Sequence, residues 1–287
     1  PQALLALGGG SPIDCAKAIN YLSAREGFSE KCKFVAIPTT SGTGTEVSRF
    51  SVISDPEKSA KYPLVADELL PDDAILDAEL TKTVPPSITA DTGIDVLTHA
   101  IEAFVSKNAN DFTDAAAEKA IKLVRSNLLK AYKTPDDLNA RQHMHHASCL
   151  AGMAFSNAGL GLNHGMAHTL GGHFHIPHGR ANAILLPTIV EYNALADHGK
   201  YFNIYNYIAP LPAALEEFTP DMLVDAIVEL NDSLGIPDGL EEVGVTKDKF
   251  DAMADDAMKS GNIAVNPRST TKKDVLALYE KAFSGLE

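Results

Sequence analysis

The spacing of apolar residues changes its character once along the chain, near residue 85. Before that point, short apolar runs alternate with turns rich in glycine, proline and hydroxyl residues. The runs predicted as strands are Ala3–Leu7, Phe34–Ile37, Phe50–Ile53, Tyr62–Val65 and Ala74–Leu76. A helix is predicted from Ile13 to about Ala24, and the Asp55-Pro56 turn predicts a hairpin of the third and fourth strands. This alternation is typical of an α/β layer that contains a parallel sheet.

After Pro85-Pro86 the apolar residues recur at helical spacing, and no further strand is predicted. The predicted helices are Ser87–Ser106, Thr113–Tyr132, Asp136–Phe155, Leu162–Gly171, His178–Asn193, Lys200–Ile208, Pro220–Leu234, Lys247–Lys259 and Lys272–Phe283. The pattern therefore predicts an α/β domain over residues 1–83 and an all-helical domain over residues 84–287. A cleft between two such domains is a common place for a ligand.

Composition excludes some classes of function. The net charge of −14 argues against a nucleic-acid partner, since phosphate backbones favour clustered Lys and Arg. The sequence lacks an apolar stretch of membrane-spanning length and a signal-peptide pattern, so no membrane association is expected. Three cysteines without a paired spacing indicate reduced thiols and a cytoplasmic location. The chain opens on Pro1-Gln2 directly before an apolar run, which indicates the later part of a longer protein.

Two turns have compositions suited to phosphate and ribose. The first, Gly8-Gly9-Gly10-Ser11, lies between a predicted strand and a predicted helix, where glycines let backbone N–H groups approach an anion. Ser11 is the expected N-cap and Asp14 the partner in a capping box. The second turn follows a strand and offers five hydroxyls, four of them from Thr39, Thr40, Thr43 and Thr45. A tight turn and a flexible surface loop without a ligand are the alternatives, but two such loops on neighbouring strands favour a dinucleotide site.

Histidines and one aspartate form a candidate metal site. Asp95 and His99 are four residues apart on a predicted helix and therefore share a face. His164 and His168 have the same spacing, and His178 follows a bend with glycines and Pro177. An aspartate and three imidazoles suit Fe(II) or Zn(II) and are poor ligands for Ca(II) or Mg(II). Spacing alone does not decide which of these histidines bind the ion.

The chain resembles the iron-containing (group III) alcohol dehydrogenases through motifs in order along nearly its whole length. These motifs are Gly8-Gly9-Gly10-Ser11-Pro12, Pro38-Thr39-Thr40-Ser41-Gly42-Thr43-Gly44-Thr45-Glu46, Thr92-Gly93-Ile94-Asp95-Val96-Leu97-Thr98-His99-Ala100-Ile101-Glu102, His164-Gly165-Met166-Ala167-His168, Pro177-His178-Gly179 and, more loosely, Asn266-Pro267-Arg268. The resemblance implies a dehydroquinate-synthase-like fold, and an enzyme that interconverts a primary alcohol or diol and its aldehyde with NAD or NADP.

The same resemblance assigns roles to residues. It implies Asp95, His99, His164 and His178 as ligands of Fe²⁺, with Zn²⁺ as the other candidate, and it places His168 beside the nicotinamide and substrate. We expect His168 to relay a proton or to position the substrate. The resemblance also implies that Lys61 contacts the nucleotide. It further implies a homodimer or larger assembly, and additional strands ahead of Ala3 that hold the residue selecting NAD or NADP.

The remaining histidines have structural interpretations. His143, His145 and His146 are expected to be surface or satisfied imidazoles, and His198 a helix-end or loop residue. His173 and His175 are candidates for lining the substrate pocket. Asp91 is explained as a first-turn acid that complements the helix dipole.

Two other functions compete with this interpretation. One is a zinc enzyme similar to glycerol dehydrogenase or dehydroquinate synthase, a branch in which the resemblance implies three metal ligands rather than four. The other is a catalytically silent helical domain that a metal stabilises and that serves in assembly.

Overall fold

A computed structural model describes residues 2–28, 30–55 and 60–285, without the side chains of residues 54, 55 and 60–62. Its strands are β1 Ala3–Gly8, β2 Lys33–Pro38, β3 Phe50–Asp55, β4 Ala60–Val65 and β5 Asp73–Ala74. β1, β2 and β5 form a parallel sheet in that order, and β3 and β4 form an antiparallel hairpin. The predicted parallel layer and hairpin are confirmed, and the alternation of buried and less buried residues along β2 shows why this run forms a strand.

Ten helices lie in the described part of the chain. They are α1 Gly10–Arg25, α2 Pro86–Val105, α3 Asp111–Lys133, α4 Leu138–Ala158, α5 Leu162–Phe174, α6 His178–Ala194, α7 His198–Ile208, α8 Pro220–Ser233, α9 Phe250–Ala257 and α10 Lys272–Phe283. The predicted helices therefore all have counterparts, with shifts of a few residues at their ends. Among the described residues none of these helices is both long and apolar enough to cross a membrane.

α2 lies at the centre of the helical part. Every residue from Gly93 to Val105 is buried, so this helix is covered on all sides. It packs against α3, α4 and α6, and the large apolar core extends over these helices. A separate small cluster of Ala6, Ile13, Phe34 and Ala36 joins α1 to the sheet. The predicted division into two domains near residue 83 stays a prediction.

The start of α1 differs from the prediction. The helix begins at Gly10 with Gly9 as its N-cap, without a capping side chain, so the predicted capping box of Ser11 and Asp14 is wrong. The Asp14 carboxylate instead accepts hydrogen bonds from Thr45 Oγ1 at 2.5 Å and from the Val52 backbone N–H at 3.0 Å. Partners distant in sequence thus replace a local cap, and Asp14 ties α1 to the hydroxyl-rich loop and the hairpin.

Candidate metal centre and cofactor loops

Four side chains from three helices converge at the centre of the helical part. Asp95 and His99 come from α2, His164 from α5 and His178 from the first position of α6. Asp95 Oδ1 lies 3.9 Å from His99 Nε2, 3.5 Å from His164 Nε2 and 3.7 Å from His178 Nε2. One atom of each residue lies within 4.8 Å of the others, so the four could hold one ion.

The local structure explains the convergence. The i,i+4 spacing places Asp95 and His99 on one face of the buried part of α2. α5 ends at Phe174, His175 adopts a left-handed conformation with φ of 57°, and α6 then starts directly at His178. The His164 ring consequently lies between those of His99 and His178, at centroid distances of 4.6 and 5.2 Å.

The electrostatics of the cluster suit a cation. Burial opposes ionisation of Asp95, but its electrostatic and hydrogen-bond interactions with the surrounding imidazoles outweigh burial, so the pKa of Asp95 lies well below its usual range. Burial lowers the pKa of His99 to about 3, which keeps this imidazole neutral and its lone pair available. For His164, burial is outweighed by Glu102 and Asp95, and its pKa rises to about 9. Two carboxylates thus lie in a buried, imidazole-rich site, and a divalent cation would neutralise them.

Access to the cluster is one-sided. The side chains of His99 and His164 are 5% and 1% exposed, whereas that of His178 is 32% exposed. His168 lies on this open side, with its ring stacked on His178 at a centroid distance of 5.2 Å. Among the candidate ligands, His178 is therefore the one most open to solvent, and His168 lies beside it.

Sequence reasoning missed two residues of this site. Asn182, one turn after His178 on α6, places Nδ2 2.6 Å from Asp95 Oδ1 and within 3.2 Å of the Nε2 atoms of His164 and His178. Glu102, three residues after His99 on α2, accepts a hydrogen bond from His164 Nδ1. A signal existed in both cases, because each residue lies at helical spacing from a candidate ligand.

Other charged and imidazole residues lie around the cluster. The explanation of Asp91 as a first-turn acid is wrong, because it lies beyond the first turn and pairs with Arg180 at 2.6 Å. His173 Nε2–H donates to Asp256 Oδ2 at 2.9 Å, and His175 is exposed; their place in a substrate pocket stays a prediction. His198 begins α7, as predicted.

The histidines of α4 differ from one another. His146 is exposed and bonds to Gln142, and His143 is half-buried. His145 is buried and lies 2.9 Å from Ser41 Oγ, so it joins α4 to the hydroxyl-rich loop. Burial lowers its pKa to about 4, so the imidazole is neutral. This tertiary contact was not predicted.

The two predicted cofactor loops lie side by side. They follow the adjacent parallel strands β1 and β2, and the Thr39 N–H donates to the Gly8 carbonyl at 2.9 Å. A Cβ built on Gly10 would lie 2.6 Å from Thr43 Cγ2, and one on Gly9 would lie 3.5 Å from Thr40 Oγ1. A side chain at Gly10 would therefore displace Thr43 and separate the loops. The two loops and the exposed Ser11 form one surface of backbone N–H groups and hydroxyls.

The hydroxyl-rich loop also contacts α2, which carries two of the candidate ligands, and α4. A Cβ on Gly42 would lie 2.8 Å from Thr92 Cβ, three residues before Asp95, and one on Gly44 would lie 2.7 Å from Gly152 Cα. Thr45 is buried with its hydroxyl on Asp14, so its side chain anchors the loop and its contact with a cofactor stays a prediction. The side chain of Lys61 lies outside the described part of the structure.

This arrangement agrees with the sequence comparisons. The C-terminal model of the iron-containing alcohol dehydrogenase family matches residues 89–283, and the iron-containing alcohol dehydrogenase model matches residues 1–78. The chain belongs to the iron-containing alcohol dehydrogenase family.

Relatives of known name define the activity class. An NADPH-dependent butanol dehydrogenase of Clostridium saccharobutylicum is 43% identical over 100% of this chain and 78% of its own length. A 1-propanol dehydrogenase of Salmonella typhimurium is 46% identical over 98% of this chain and 78% of its own length. A crystal structure of a 1,3-propanediol oxidoreductase superposes with a TM-score of 0.92 at 38% identity, covering 98% of this chain and 77% of that chain. The chain is therefore an NAD(P)-dependent oxidoreductase of alcohols and aldehydes.

Proposed function

We propose that this chain interconverts short primary alcohols or diols and their aldehydes, with Fe²⁺ held by Asp95, His99, His164 and His178. The observation that supports it most directly is the meeting of four ligand atoms within 4.8 Å of one another. Three imidazoles and one carboxylate match the preferences of Fe(II) and Zn(II). All four donors are present, which favours the iron branch over the three-ligand zinc alternative.

The substrate class follows from the relatives and from access to the cluster. Named relatives act on butanol, 1-propanol and 1,3-propanediol. In this chain the open side of the cluster is bounded by His178 and His168, whose stacked rings leave a polar approach to the ligand atoms. We therefore propose an alcohol of three or four carbons as substrate.

The residues divide the chemistry between them. A cation held by the four donors supplies Lewis-acid chemistry at a substrate oxygen, and the nicotinamide takes up or gives a hydride. The ionised Asp95 offsets the positive charge of the site. The loops at Gly8–Ser11 and Thr39–Thr43 offer N–H and O–H donors to the cofactor's phosphates and ribose. In the oxidation direction the alcohol loses a hydride from carbon and a proton from oxygen, and we assign that proton to His168.

One experiment tests the proposal. The protein is purified without oxygen, its metal is measured, and oxidation of 1-propanol, 1-butanol and 1,3-propanediol is followed with NAD and with NADP. We expect bound iron and reduction of the cofactor, and we expect His178→Ala to lose both. His146→Ala, on the exposed face of α4, is the matched control that keeps both.

The outcomes separate the alternatives. Bound zinc with activity would favour the glycerol-dehydrogenase-like branch. Bound metal with no oxidation of any of the alcohols would favour the silent assembly domain. The cytoplasmic location and the homodimer stay predictions.

A further inference from the structure

A buried carboxylate lies behind one of the candidate ligands. Glu102 is 4% exposed, and its Oε2 lies 2.5 Å from His164 Nδ1, the ring nitrogen opposite the one that faces Asp95. A carboxylate at this distance accepts a hydrogen bond from Nδ1–H, so Nε2 is the ring nitrogen that would hold a cation in the cluster.

The other carboxylate oxygen binds the backbone of α5. Glu102 Oε1 accepts hydrogen bonds from the backbone N–H groups of Asn163 at 2.7 Å and His164 at 3.3 Å. These groups belong to the first turn of α5, where N–H donors have no partner within the helix and a negative charge is favoured. One buried side chain of α2 thus fixes both the backbone and the ring of His164.

The surrounding sequence makes room for this contact. A Cβ built on Gly161, the N-cap of α5, would lie 2.9 Å from Glu102 Oε1. A larger residue at this position would therefore push the carboxylate away from α5. Asn266 completes the same helix end, since its Oδ1 accepts the Leu162 N–H at 3.1 Å without contacting His164.

We propose that Glu102 is a positioning residue of the metal centre, which selects the Nδ1-protonated tautomer of His164 and thereby strengthens binding of the cation. The inference depends on the proposed metal site but not on the identity of the substrate. Partners of this kind behind a histidine ligand typically change metal affinity by about 10- to 100-fold.

Glu102→Gln tests the proposal with little change of shape. The amide keeps one oxygen for the backbone donors of α5. It loses the negative charge and the second oxygen, which accepts the hydrogen bond from His164 Nδ1–H. We expect the dissociation constant of Zn²⁺ or Co²⁺, measured by competition with a chelator, to rise by about 10- to 100-fold. The visible absorption of the Co²⁺-loaded protein should change as well, since the ligand field at His164 changes.

Asn266→Ala is the control for loss of contacts at this helix end, because it removes the hydrogen bond to α5 together with those to Asn193 and Arg268 and leaves Glu102 and His164 in contact. We expect its Zn²⁺ affinity to stay close to that of the original protein. Equal weakening in both variants, or no weakening in Glu102→Gln, would overturn the proposal and leave Glu102 as a helix cap only. These readouts need no alcohol oxidation, so a failure of the proposed activity is recognised separately.

A measurement on the unaltered chain covers the case in which Glu102→Gln does not fold. Nitrogen NMR of the zinc-loaded protein with labelled histidine distinguishes the two ring nitrogens. A His164 Nδ1–H signal shifted far downfield, as a short hydrogen bond to a carboxylate produces, supports the proposal, and an Nδ1–H signal at the position of a water-exposed imidazole overturns it.

Discussion

Asn182 Nδ2 lies 2.6 Å from Asp95 Oδ1, and both side chains are buried among the candidate ligands. The Asn182 amide oxygen in turn accepts a hydrogen bond from Asn163 Nδ2 at 2.9 Å. The amide group therefore bridges α5 and α2, and it holds the carboxylate oxygen that is closest to all three imidazoles.

Replacement of Asn182 should change metal affinity in a direction set by the new side chain. Asn182→Ala removes the donor that fixes Asp95 and should weaken Zn²⁺ binding by about tenfold, or about 1.4 kcal/mol. Asn182→Asp adds a second carboxylate and should bind the ion more tightly while lowering the stability of the metal-free protein, since like charges are buried together. Chelator competition and urea unfolding measure the two effects. Weaker binding in both variants would show that Asn182 acts through packing alone.

Replacement of His168 should lower turnover without changing the metal content. Its ring stacks on His178 and lies 5.9 Å from the ring of His164, so it borders the cluster. Because general acid–base groups contribute factors on the order of 10² or more, His168→Ala should lower kcat by about that factor with unchanged metal content. The pH profile of kcat should flatten as well. Equal loss of metal and turnover would identify His168 as a structural ligand instead.

Gly10 should control cofactor binding through its contact with Thr43. A methyl group at Gly10 would lie 2.6 Å from Thr43 Cγ2 and would separate the two loops. Gly10→Ala should therefore raise the KM for the cofactor by roughly tenfold, or about 1.4 kcal/mol, with metal content unchanged. Thr43→Ser removes the clashing methyl and keeps the hydroxyl, so the double variant should recover most of the affinity. No recovery would place the cofactor away from this pair of loops.

The sequence predicted elements whose signals are local. The i,i+4 spacing of Asp95 and His99 and the turns after β1 and β2 indicated a metal site and a phosphate-binding loop pair, and the structure brings these residues together. The convergence of His164 and His178 on α2 depends on helix packing, which no local pattern encodes. These two ligands were predicted only because the sequence resembles a known family. For Asp14 a local pattern was misleading. The sequence predicted a capping box, but in the folded chain the Asp14 carboxylate accepts hydrogen bonds from Thr45 and Val52 instead.

Glu46 should make stability depend on pH. It is 3% exposed, and burial raises its pKa from 4.5 to about 7, although the nearby Lys17 opposes the shift. Since the folded chain holds this proton more tightly than the unfolded chain, the stabilisation is complete below about pH 4.5 and is lost as the pH rises through about 7. At about 1.4 kcal/mol per pKa unit, the full loss should amount to roughly 3 kcal/mol.

Glu46→Gln should remove this dependence, because the amide cannot ionise. The measurement is urea unfolding of metal-free protein at about pH 5.5 and about pH 7.5, a window that spans most of the Glu46 titration. Glu68→Gln is the control, since it makes the same change at an exposed acid in the same part of the chain and should retain the pH dependence of the original protein. An unchanged slope in Glu46→Gln would show that the pH dependence does not come from Glu46.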